Sequence, residues 1–319
     1  MKPLDGDRPL GIAIEVGGSH AISALVDKSG VIRAMRRGVE GELLPTLAAV
    51  ASDIEALLVA EGREVRDCVG ISLAVCGTVD TATGQVLSTP RGKFDDATAC
   101  DLPAWALATF GLPLTVANDA LQALLGERWA GAARGCDDAV MITLGTGIGG
   151  AALVAGRPLP TKHGQAGTVS GHTPISVDGR PCGCGGHGCA EAEASTQALP
   201  AVCADWPGFS TSPLAAEPGI DYRTLFRHYD DGDRVAREIL EHSCAVWGTL
   251  AVALIHAYDP EVVVVGGGVM QRAEEILPRL REHVAARAWT PGRTVRVERA
   301  VLGDEASLYG AIPLLGLSA

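Results

Sequence analysis

Residues 10–26 read LGIAIEVGGSHAISALV, and residues 139–154 read AVMITLGTGIGGAALV. Each stretch consists of an apolar run, a turn that combines glycines with a hydroxyl side chain, and a second apolar run. Each therefore predicts two strands joined by a tight turn. The predicted strands are Leu10–Val16, Ala21–Val26, Ala139–Leu144 and Gly149–Val154. Because the second stretch repeats the plan of the first, the sequence indicates a weak internal duplication.

The residues that follow each pair of strands predict an α/β fold. Val31–Arg36 predicts a third strand, Leu43–Glu61 has the apolar spacing of a helix, and Val69–Val75 predicts a buried strand. In the second half, a helix around Val246–Tyr258 precedes a strand at Val262–Val265. Two similar α/β lobes are the arrangement expected where a nucleotide binds between them.

Length, charge and hydropathy exclude several classes of protein. The chain has 319 residues, of which 47% are hydrophobic, so it can bury the core of two domains or of one large one. Its net charge is −12 without a compensating basic block, which disfavours a nucleic-acid partner. The first ten residues lack the features of a signal peptide, and no apolar run suggests a membrane span. We therefore expect a cytoplasmic protein with no membrane partner.

The glycine turns are candidate phosphate sites. At the first turn, Gly17 and Gly18 let backbone N–H groups approach an anion closely, and Ser19 and His20 can add further donors. An isolated Gly-Gly pair is more typical of an ordinary hairpin turn, so this turn decides nothing by itself.

The second turn contains Gly145, Thr146 and Gly147. It is not a Walker loop because no Gly-Lys-Ser/Thr ends it, and it lacks the helix that follows a dinucleotide-binding fingerprint. A third glycine run includes Gly267 and Gly268, which could bring the backbone close to a base or ribose. Several such turns in one acidic chain favour a nucleotide site more strongly than any single turn does.

A polar pair, Asn118 and Asp119, stands where a predicted strand ends and a helix begins. A carboxylate in the first helical turn is held rigidly beside the strand end, which suits a general base. The alternative is an N-cap followed by an acidic residue that is favourable to the helix dipole, and this short segment alone favours the alternative.

A cluster of soft ligands lies in residues 171–191, GHTPISVDGRPCGCGGHGCAE. His172, Cys182, Cys184 and Cys189 match the number and type of ligands in a closed, structural zinc site, and the glycines between them allow a tight loop. A chance cluster or a redox site is the alternative, and two histidines compete as the nitrogen ligand. These are His163 and His187.

Taken in order, these segments resemble the ROK family (repressors, open reading frames and sugar kinases) over nearly the whole chain. The segments that match best are VANDALQALLGE (116–127), TLGTGIGGA (143–151), GH…CGCGGHGCAE (171–191), DPEVVVVGGGV (259–269) and LGDEASLYGA (302–311). The resemblance implies a two-lobed actin-like ATPase (ribonuclease H-like) fold with an interlobe active-site cleft. It divides the chain into residues 1–117, completed by about 303–319, and a larger lobe of residues 118–302 with the zinc loop.

The resemblance also implies a glucokinase-like sugar kinase that moves the terminal phosphoryl group of ATP, with Mg²⁺, to the C6 hydroxyl of a hexose-like sugar. Asp119 is the implied base, and His172 is implied to direct one ring nitrogen to zinc and the other to the sugar. The implied sugar-binding set is Gly77, Asn118, Asp119, Thr168, His172 and Glu191. The implied nucleotide-binding set is Glu15, Gly17, Gly18, Ser19, His20, Gly145, Thr146, Gly147, Gly267 and Gly268. A homodimer is implied as well.

The sequence departs from the family pattern at the first turn. Family kinases usually begin Asp-x-Gly-Gly-Thr-Lys, whereas this chain has Glu15, Ser19 and His20 at the corresponding places. Glu15 keeps the negative charge on a longer side chain, but His20 removes a permanent cation from the neighbourhood of the phosphates.

A second departure lies before the zinc histidine, where the family places a sugar-binding glutamate. Here Val169 takes that place, and the loop is one residue longer. The hydroxyls must then be bound by Thr168, Ser170, His172 and Glu191, or the substrate is an unusual or modified sugar.

The alternative to a kinase is a non-catalytic sugar-binding or regulatory ROK protein. Regulators of the family carry an additional N-terminal helix-turn-helix domain, and the first glycine turn begins as early as Gly17. We therefore expect a kinase.

Overall fold

In a computed structural model, which describes residues 9–18, 20–39, 41–90 and 92–317, the chain forms two compact units. Unit 1 comprises Met1–Gly135, Leu159–Thr168 and Val301–Ala319. Unit 2 comprises Cys136–Pro158 and Val169–Ala300.

Unit 1 is built around a five-stranded mixed sheet in the order β3-β2-β1-β4-β7. The pairs β1–β2 and β2–β3 are antiparallel, whereas β4 is parallel to both β1 and β7. The elements are β1 (Leu10–Val16), β2 (His20–Asp27), β3 (Gly30–Gly38), α1 (Leu43–Ala60), β4 (Cys68–Val75), β5 (Thr78–Asp80), β6 (Gln85–Ser88), α2 (Leu102–Phe110), β7 (Leu114–Asn118), α3 (Asp119–Ala130) and, after unit 2, α9 (Ala306–Leu314). Strands β5 and β6 form a separate antiparallel hairpin.

The sheet of unit 1 is apolar on both faces. Successive residues of a strand point to opposite faces, and β1 carries apolar residues at consecutive positions. Ile12 and Ile14 belong to the core that includes the apolar face of α1, whereas Ala13 belongs to the core formed with α9. All three side chains are fully buried. Helices thus cover both faces, as the α/β pattern of the sequence predicts.

Unit 2 repeats this plan with the strand order β10-β9-β8-β11-β12. Strands β8 and β9 are antiparallel, and β11 is parallel to both β8 and β12. The elements are β8 (Ala139–Leu144), β9 (Ile148–Val154), β10 (Arg157–Pro158), α4 (Ala190–Ala194), α5 (Leu199–Ala204), α6 (Tyr222–Asp230), α7 (Arg234–Tyr258), β11 (Val262–Gly266), α8 (Ala273–Arg287) and β12 (Arg296–Arg299). The matching strand orders confirm the predicted duplication.

Helix α3 lies in unit 1, whereas the sequence placed the boundary before it, at residues 117 and 118. Two polar side chains attach α3 to the C-terminal part of unit 1. The amide of Gln122 donates to the carbonyl of Ser307 at 2.8 Å. The buried carboxylate of Glu127 accepts hydrogen bonds from the backbone N–H groups of Val301 and Leu302, each at 2.9 Å. The chain passes into unit 2 only after Gly135.

The predicted strands and the first helix are confirmed to within one or two residues, but α7 is longer than predicted. It begins at Arg234 rather than near Val246, with the carboxylate of Asp233 accepting from the backbone N–H of Val235 as its N-cap. The first turns of α7 carry charged residues on the solvent side. In the sequence these interrupt the apolar residues, so the helical spacing was not recognised. Several elements were not predicted, namely helices α2, α4, α5, α6, α8 and α9 and strands β5, β6, β10 and β12.

Two helices, α1 and α7, are long and apolar enough to cross a membrane by length and composition, contrary to the sequence-based expectation that no such segment exists. Both are core helices in this fold: 44% of the apolar window of α1 and 61% of that of α7 is buried inside the protein. Their apolarity is explained by packing against the sheets.

Candidate active site

Asp119 is the first residue of α3 and directly follows the last residue of β7, as predicted. Asn118 is the N-cap: its Oδ1 accepts from the backbone N–H of Leu121 at 3.1 Å, and its Nδ2 donates to the carbonyl of Gly77 at 2.9 Å. The N-cap reading of Asn118 is therefore correct. The Asn118 side chain also forms a hydrogen bond that lowers the pKa of Asp119.

Asp119 is half-buried, and the partial burial of its carboxyl group raises its pKa to about 6. Its Oδ1 accepts from the backbone N–H of Ala120 at 2.8 Å, which opposes this rise. A carboxylate with a pKa just below neutrality is ionised at physiological pH and is still basic enough to take a proton.

Gly77 lies beside Asn118 at the start of the β5–β6 hairpin. Its Cα faces the backbone carbonyl of Ser88 so closely that any Cβ at position 77 would collide with that oxygen. Glycine here therefore allows the hairpin to close next to the head of α3.

The first glycine turn is closed by a hydrogen bond of 2.9 Å from the backbone N–H of Gly17 to the carbonyl of His20. Ser19 lies outside the described residues. Glu15, at the end of β1, accepts a hydrogen bond from the hydroxyl of Ser307, and its Oε1 lies 3.9 Å from Nε2 of His20. Burial, together with the charges of Asp119 and Asp304, raises the pKa of Glu15 to about 7, although the Ser307 hydrogen bond opposes this.

His20 has a lowered pKa, first because of burial and then because of the positive charge of Arg36. The imidazole is therefore mostly neutral at pH 7 and does not replace a permanent cation beside the turn.

Thr168 belongs to unit 1, at the end of a segment that leaves unit 2 after Pro158. Its hydroxyl donates to the carbonyl of Gly164 at 2.7 Å, and Gly164 packs against the backbone of Val79 in the β5–β6 hairpin. Thr168 thus shares a unit with Asn118 and Asp119, whereas His172 and Glu191 belong to unit 2.

The second glycine turn is braced by several backbone and side-chain contacts in unit 2. The N–H groups of Thr196 and Gln197 donate to the carbonyls of Gly145 and Thr146, at 3.1 and 3.0 Å. Glu191 Oε2 accepts from the N–H of Ile148 at 2.9 Å, immediately after Gly147.

The third glycine run supports the second turn. Gly267 has φ +92°, and a Cβ at this position would lie 2.7 Å from the backbone nitrogen of Leu144, the residue before Gly145. Gly268 begins a 3₁₀ turn, Gly268–Arg272. The structure therefore brings these predicted nucleotide residues together at the ends of β8 and β11.

The four predicted metal ligands converge in unit 2. The ligand atoms of His172, Cys182, Cys184 and Cys189 all lie within 4.8 Å of one another. Cys182 Sγ is 3.5 Å from Nδ1 of His172, and the sulfurs of Cys184 and Cys189 are 3.7 Å apart. Sulfurs bound to one tetrahedral zinc, at about 2.3 Å each, are about 3.8 Å apart, so the donor set fits zinc. His163 and His187 are not members of this cluster.

Glu191 joins the metal cluster to the second turn. While its Oε2 binds the backbone after Gly147, its Oε1 lies 3.8 Å from Nδ1 of His172. Because Nδ1 faces the cysteine sulfurs, Nε2 of His172 is the ring nitrogen that remains for a substrate.

Sequence reasoning missed Ser307 and Lys93, which both contact the first turn. Ser307 lies in the segment 302–311 that resembles the family, so a signal existed there, although its hydrogen bond to Glu15 joins residues 292 positions apart. Lys93 Nζ donates to the carbonyl of Gly18. No periodicity or motif marks this lysine, because the contact arises only from the tertiary fold.

The duplicated α/β units, each with a glycine turn after its first strand, define a two-domain fold of the actin-like ATPase class. The ROK family pattern matches residues 11–316, and the chain belongs to the ROK family.

Among its relatives, a glucokinase of Thermotoga maritima is 32% identical over 86% of this chain and 86% of its own. An N-acetylmannosamine kinase of Citrobacter koseri is also 32% identical, over 86% of this chain and 88% of its own. A solved ROK family glucokinase from Streptomyces griseus, in complex with glucose and AMPPNP, has a TM-score of 0.76 at 27% identity and covers 96% of this chain and 98% of its own.

Proposed function

We propose that the protein is an ATP-dependent sugar kinase that phosphorylates a hydroxyl group of a hexose or a hexose-like sugar, with C6 as the expected position. The observation that carries this proposal is Asp119, a half-buried residue fixed at the head of α3, whose pKa is raised to about 6. Relatives that are named glucokinase and N-acetylmannosamine kinase support the class of reaction.

In the proposed reaction, Asp119 takes the proton of the acceptor hydroxyl as its oxygen attacks the terminal phosphorus of ATP. A new P–O bond forms to the sugar, the bond between this phosphorus and the oxygen bridging to the β-phosphate breaks, and ADP leaves. Asn118 is assigned to a hydroxyl of the sugar, and the carbonyl of Gly77 and the N–H of Leu121 fix the orientation of its amide. The chain's own contribution is mainly to position the substrates and neutralise charge.

The nucleotide phosphates are assigned to Gly17 and Gly18 in unit 1 and to the turn at Gly145, Thr146 and Gly147 in unit 2, with Gly267 and Gly268 beside the latter. When Mg²⁺ is bound with ATP, it neutralises part of the negative charge on the phosphate oxygens. In unit 1, Glu15 is the proposed carboxylate for this ion, because a nearby cation would favour the ionised form that burial now disfavours.

We propose a structural zinc held by His172, Cys182, Cys184 and Cys189, whose spacing suits four-coordinate binding. A closed site of this kind would shape the loop that carries His172 and Glu191 to the sugar rather than activate water. Val169, immediately before the 3₁₀ turn Ser170–His172, favours a sugar that differs from glucose in substitution, since an apolar side chain cannot bind a hydroxyl.

For the whole protein we propose a cytoplasmic homodimer. The resemblance to ROK kinases supports both properties, and light scattering of the purified protein tests the dimer. A mass of one chain, 32.8 kDa, at micromolar concentration would contradict it.

The proposed function is tested by measuring ADP release across neutral, amino and N-acetyl sugars and cyclitols, with Asp119→Asn assayed beside the unaltered protein. We expect at least one sugar to give turnover and Asp119→Asn to lose about 10³-fold or more in kcat, while calorimetry still detects sugar binding. Sugar binding without ADP release by the unaltered protein would instead identify a non-catalytic sugar-binding or regulatory protein. Undiminished turnover by Asp119→Asn would remove Asp119 as the base.

A further inference from the structure

The side chain of Lys93 crosses the first glycine turn. Its Nζ donates a hydrogen bond to the carbonyl of Gly18. A Cβ at position 18 would lie 2.7 Å from Nζ, 3.4 Å from Cδ and 3.5 Å from Cε of this lysine. The lysine side chain therefore lies directly against the backbone of Gly18.

The loop that carries Lys93 is anchored on both sides. The N–H of Lys93 donates to the carbonyl of Pro90 at 3.1 Å, across Gly92, which has φ +75°. The next residue, Phe94, is buried in the core beneath α1, and its N–H donates to the carbonyl of Gly41 at 3.2 Å. The lysine thus projects from a tight turn whose following residue is fixed in the core.

Phe94 also adopts φ +52°, the left-handed region that a bulky residue enters only at an energetic cost. The fold retains this conformation at the residue next to Lys93. Such strain is characteristic of positions where a side chain must be held in one place for a purpose other than stability.

The ammonium of Lys93 has capacity for a ligand. Only one of its three N–H donors is used by Gly18. Across residues 9–18, 20–39, 41–90 and 92–317, it forms no salt bridge with a carboxylate. A half-buried cation whose charge is not neutralised by a described acid is a suitable partner for an anion.

The groups near Lys93 indicate which anion this lysine would bind. The pKa of the Cys76 thiol, which follows β4, is raised to about 12, first by burial and then by the negative charge of Asp119, whereas the positive charge of Lys93 opposes the rise. The charge of Glu15 also raises it. The proposed base, the turn carboxylate and the lysine are thus all near enough to this thiol of unit 1 to act on it through their charges. A phosphoryl group that receives the hydroxyl deprotonated by Asp119 must lie in this same neighbourhood.

We propose that Lys93 binds the terminal phosphate of the nucleotide and supplies the permanent cation that His20 does not provide at the first turn. This assignment rests on the proposed kinase function and adds a residue to it. The positive charge of Lys93 offsets the negative charge that Glu15 and Asp119 bring close to the phosphate.

The test compares Lys93→Gln, Lys93→Arg and the matched control Lys28→Gln. Lys28 is exposed in the turn between β2 and β3, at the other end of β2 from His20. Glutamine keeps an N–H donor for the carbonyl of Gly18 but removes the charge, so a purely structural lysine would tolerate it. The measurements are the calorimetric affinities for a non-hydrolysable ATP analogue and for ADP, each with Mg²⁺, and kcat with the best sugar.

We expect Lys93→Gln to weaken binding of the ATP analogue about tenfold, the loss of one charge-assisted contact, and to lower kcat by at least as much. Affinity for ADP should change by less than about twofold, Lys93→Arg should recover most of both losses, and Lys28→Gln should match the unaltered protein.

Affinity and kcat of Lys93→Gln equal to those of the unaltered protein would overturn the proposal. Equal losses for ADP and the ATP analogue would overturn the assignment to the terminal phosphate. If the unaltered protein binds the ATP analogue through Lys93 but releases no ADP with any sugar, the kinase function fails while the phosphate contact stands. Failure of the unaltered protein to bind nucleotide would overturn both.

Discussion

The turn after β1 and the turn after β8 connect equivalent strands of two sheets with the same strand order, yet their surroundings differ. The turn in unit 2 is held by backbone hydrogen bonds from Thr196 and Gln197, by Glu191 and by the close packing of Gly267. The turn in unit 1 is surrounded by titratable side chains, among them Glu15, His20 and Lys93.

The same strand order thus occurs with two different turns. One is held in place by backbone contacts, and the other lies among titratable side chains. In unit 2, backbone contacts hold the turn, and the proposed zinc ligands lie in the same unit. In unit 1, burial shifts the pKa values of Glu15 to about 7 and of Asp119 to about 6. We therefore expect substitutions in unit 2 to act mainly on stability, and those in unit 1 to act on turnover and its pH dependence.

The largest expected effect in unit 2 is the loss of the metal cluster. Cys184→Ala should reduce zinc from about one ion per chain to near zero, because a three-ligand remnant binds much more weakly. Thermal unfolding should shift down by roughly 5 °C or more, and sugar affinity should fall because the loop carries His172 and Glu191. Elemental analysis, thermal unfolding and calorimetry provide the measurements.

The matched control for this substitution is Cys100→Ala, a buried cysteine of unit 1 outside the cluster. It should keep the zinc and lose about 1 kcal/mol of stability from the lost packing of the sulfur. A metal-free Cys184→Ala protein with unchanged unfolding temperature and sugar affinity would show that the cluster does not shape the site.

The next effect concerns the close packing of Gly267 on Leu144. Gly267→Ala should destabilise unit 2 by about 2–4 kcal/mol, because it combines an unfavourable φ with a collision against backbone. Gly292→Ala is the control, since Gly292 also has positive φ, +75°, but has no neighbour within 4 Å of the added Cβ. It should cost only about 1 kcal/mol. Equal unfolding free energies for the two variants would refute the role of this contact.

The smallest effect is a pH dependence of stability that originates in unit 1. Because the folded pKa of Glu15 is raised from 4.5 to about 7, folding favours its protonated form. The contribution of protonated Glu15 to the free energy of unfolding is fully present at low pH and is lost as the pH rises from about 4.5 to about 7. Glu15→Gln should therefore raise the unfolding free energy at pH 8, by at most about 3 kcal/mol, and change it little at pH 4.

Chemical denaturation at both pH values measures this effect. Asp304→Asn is the control, since Asp304 acts on Glu15 only through its charge and should give a smaller gain. A gain for Glu15→Gln that is the same at pH 4 and pH 8 would show that titration of this carboxyl group is not its cause.

The same contrast between the units explains what the sequence could predict. Apolar runs with glycine turns located β1, β2, β8 and β9 because periodicity and turn chemistry are local properties. The four-ligand cluster was found because soft ligands at short spacing have few other uses. The N-cap role of Asn118 and the position of Asp119 followed from the transition between strand and helix.

What the sequence missed depends on contacts between distant residues. The approach of Lys93 to Gly18 leaves no trace in the local sequence. Ser307 and Glu127 lie in segments that resemble the family, but their hydrogen-bond partners are far away in the chain and could not be predicted. The N-terminal half of α7 was missed because charged residues on its solvent face obscure the apolar spacing. Its buried positions include Val235, Ile239 and Leu240.

The most direct test of Asp119 as the base is the pH dependence of kcat/KM, measured with a saturating excess of Mg²⁺. The base must be ionised, so kcat/KM should fall about tenfold per pH unit below an apparent pKa of about 6 and be level above about pH 7. The residual turnover of Asp119→Asn should lack this decline. A profile that is flat from pH 5 to pH 8, or the same decline in Asp119→Asn, would contradict the assignment of the proton to Asp119.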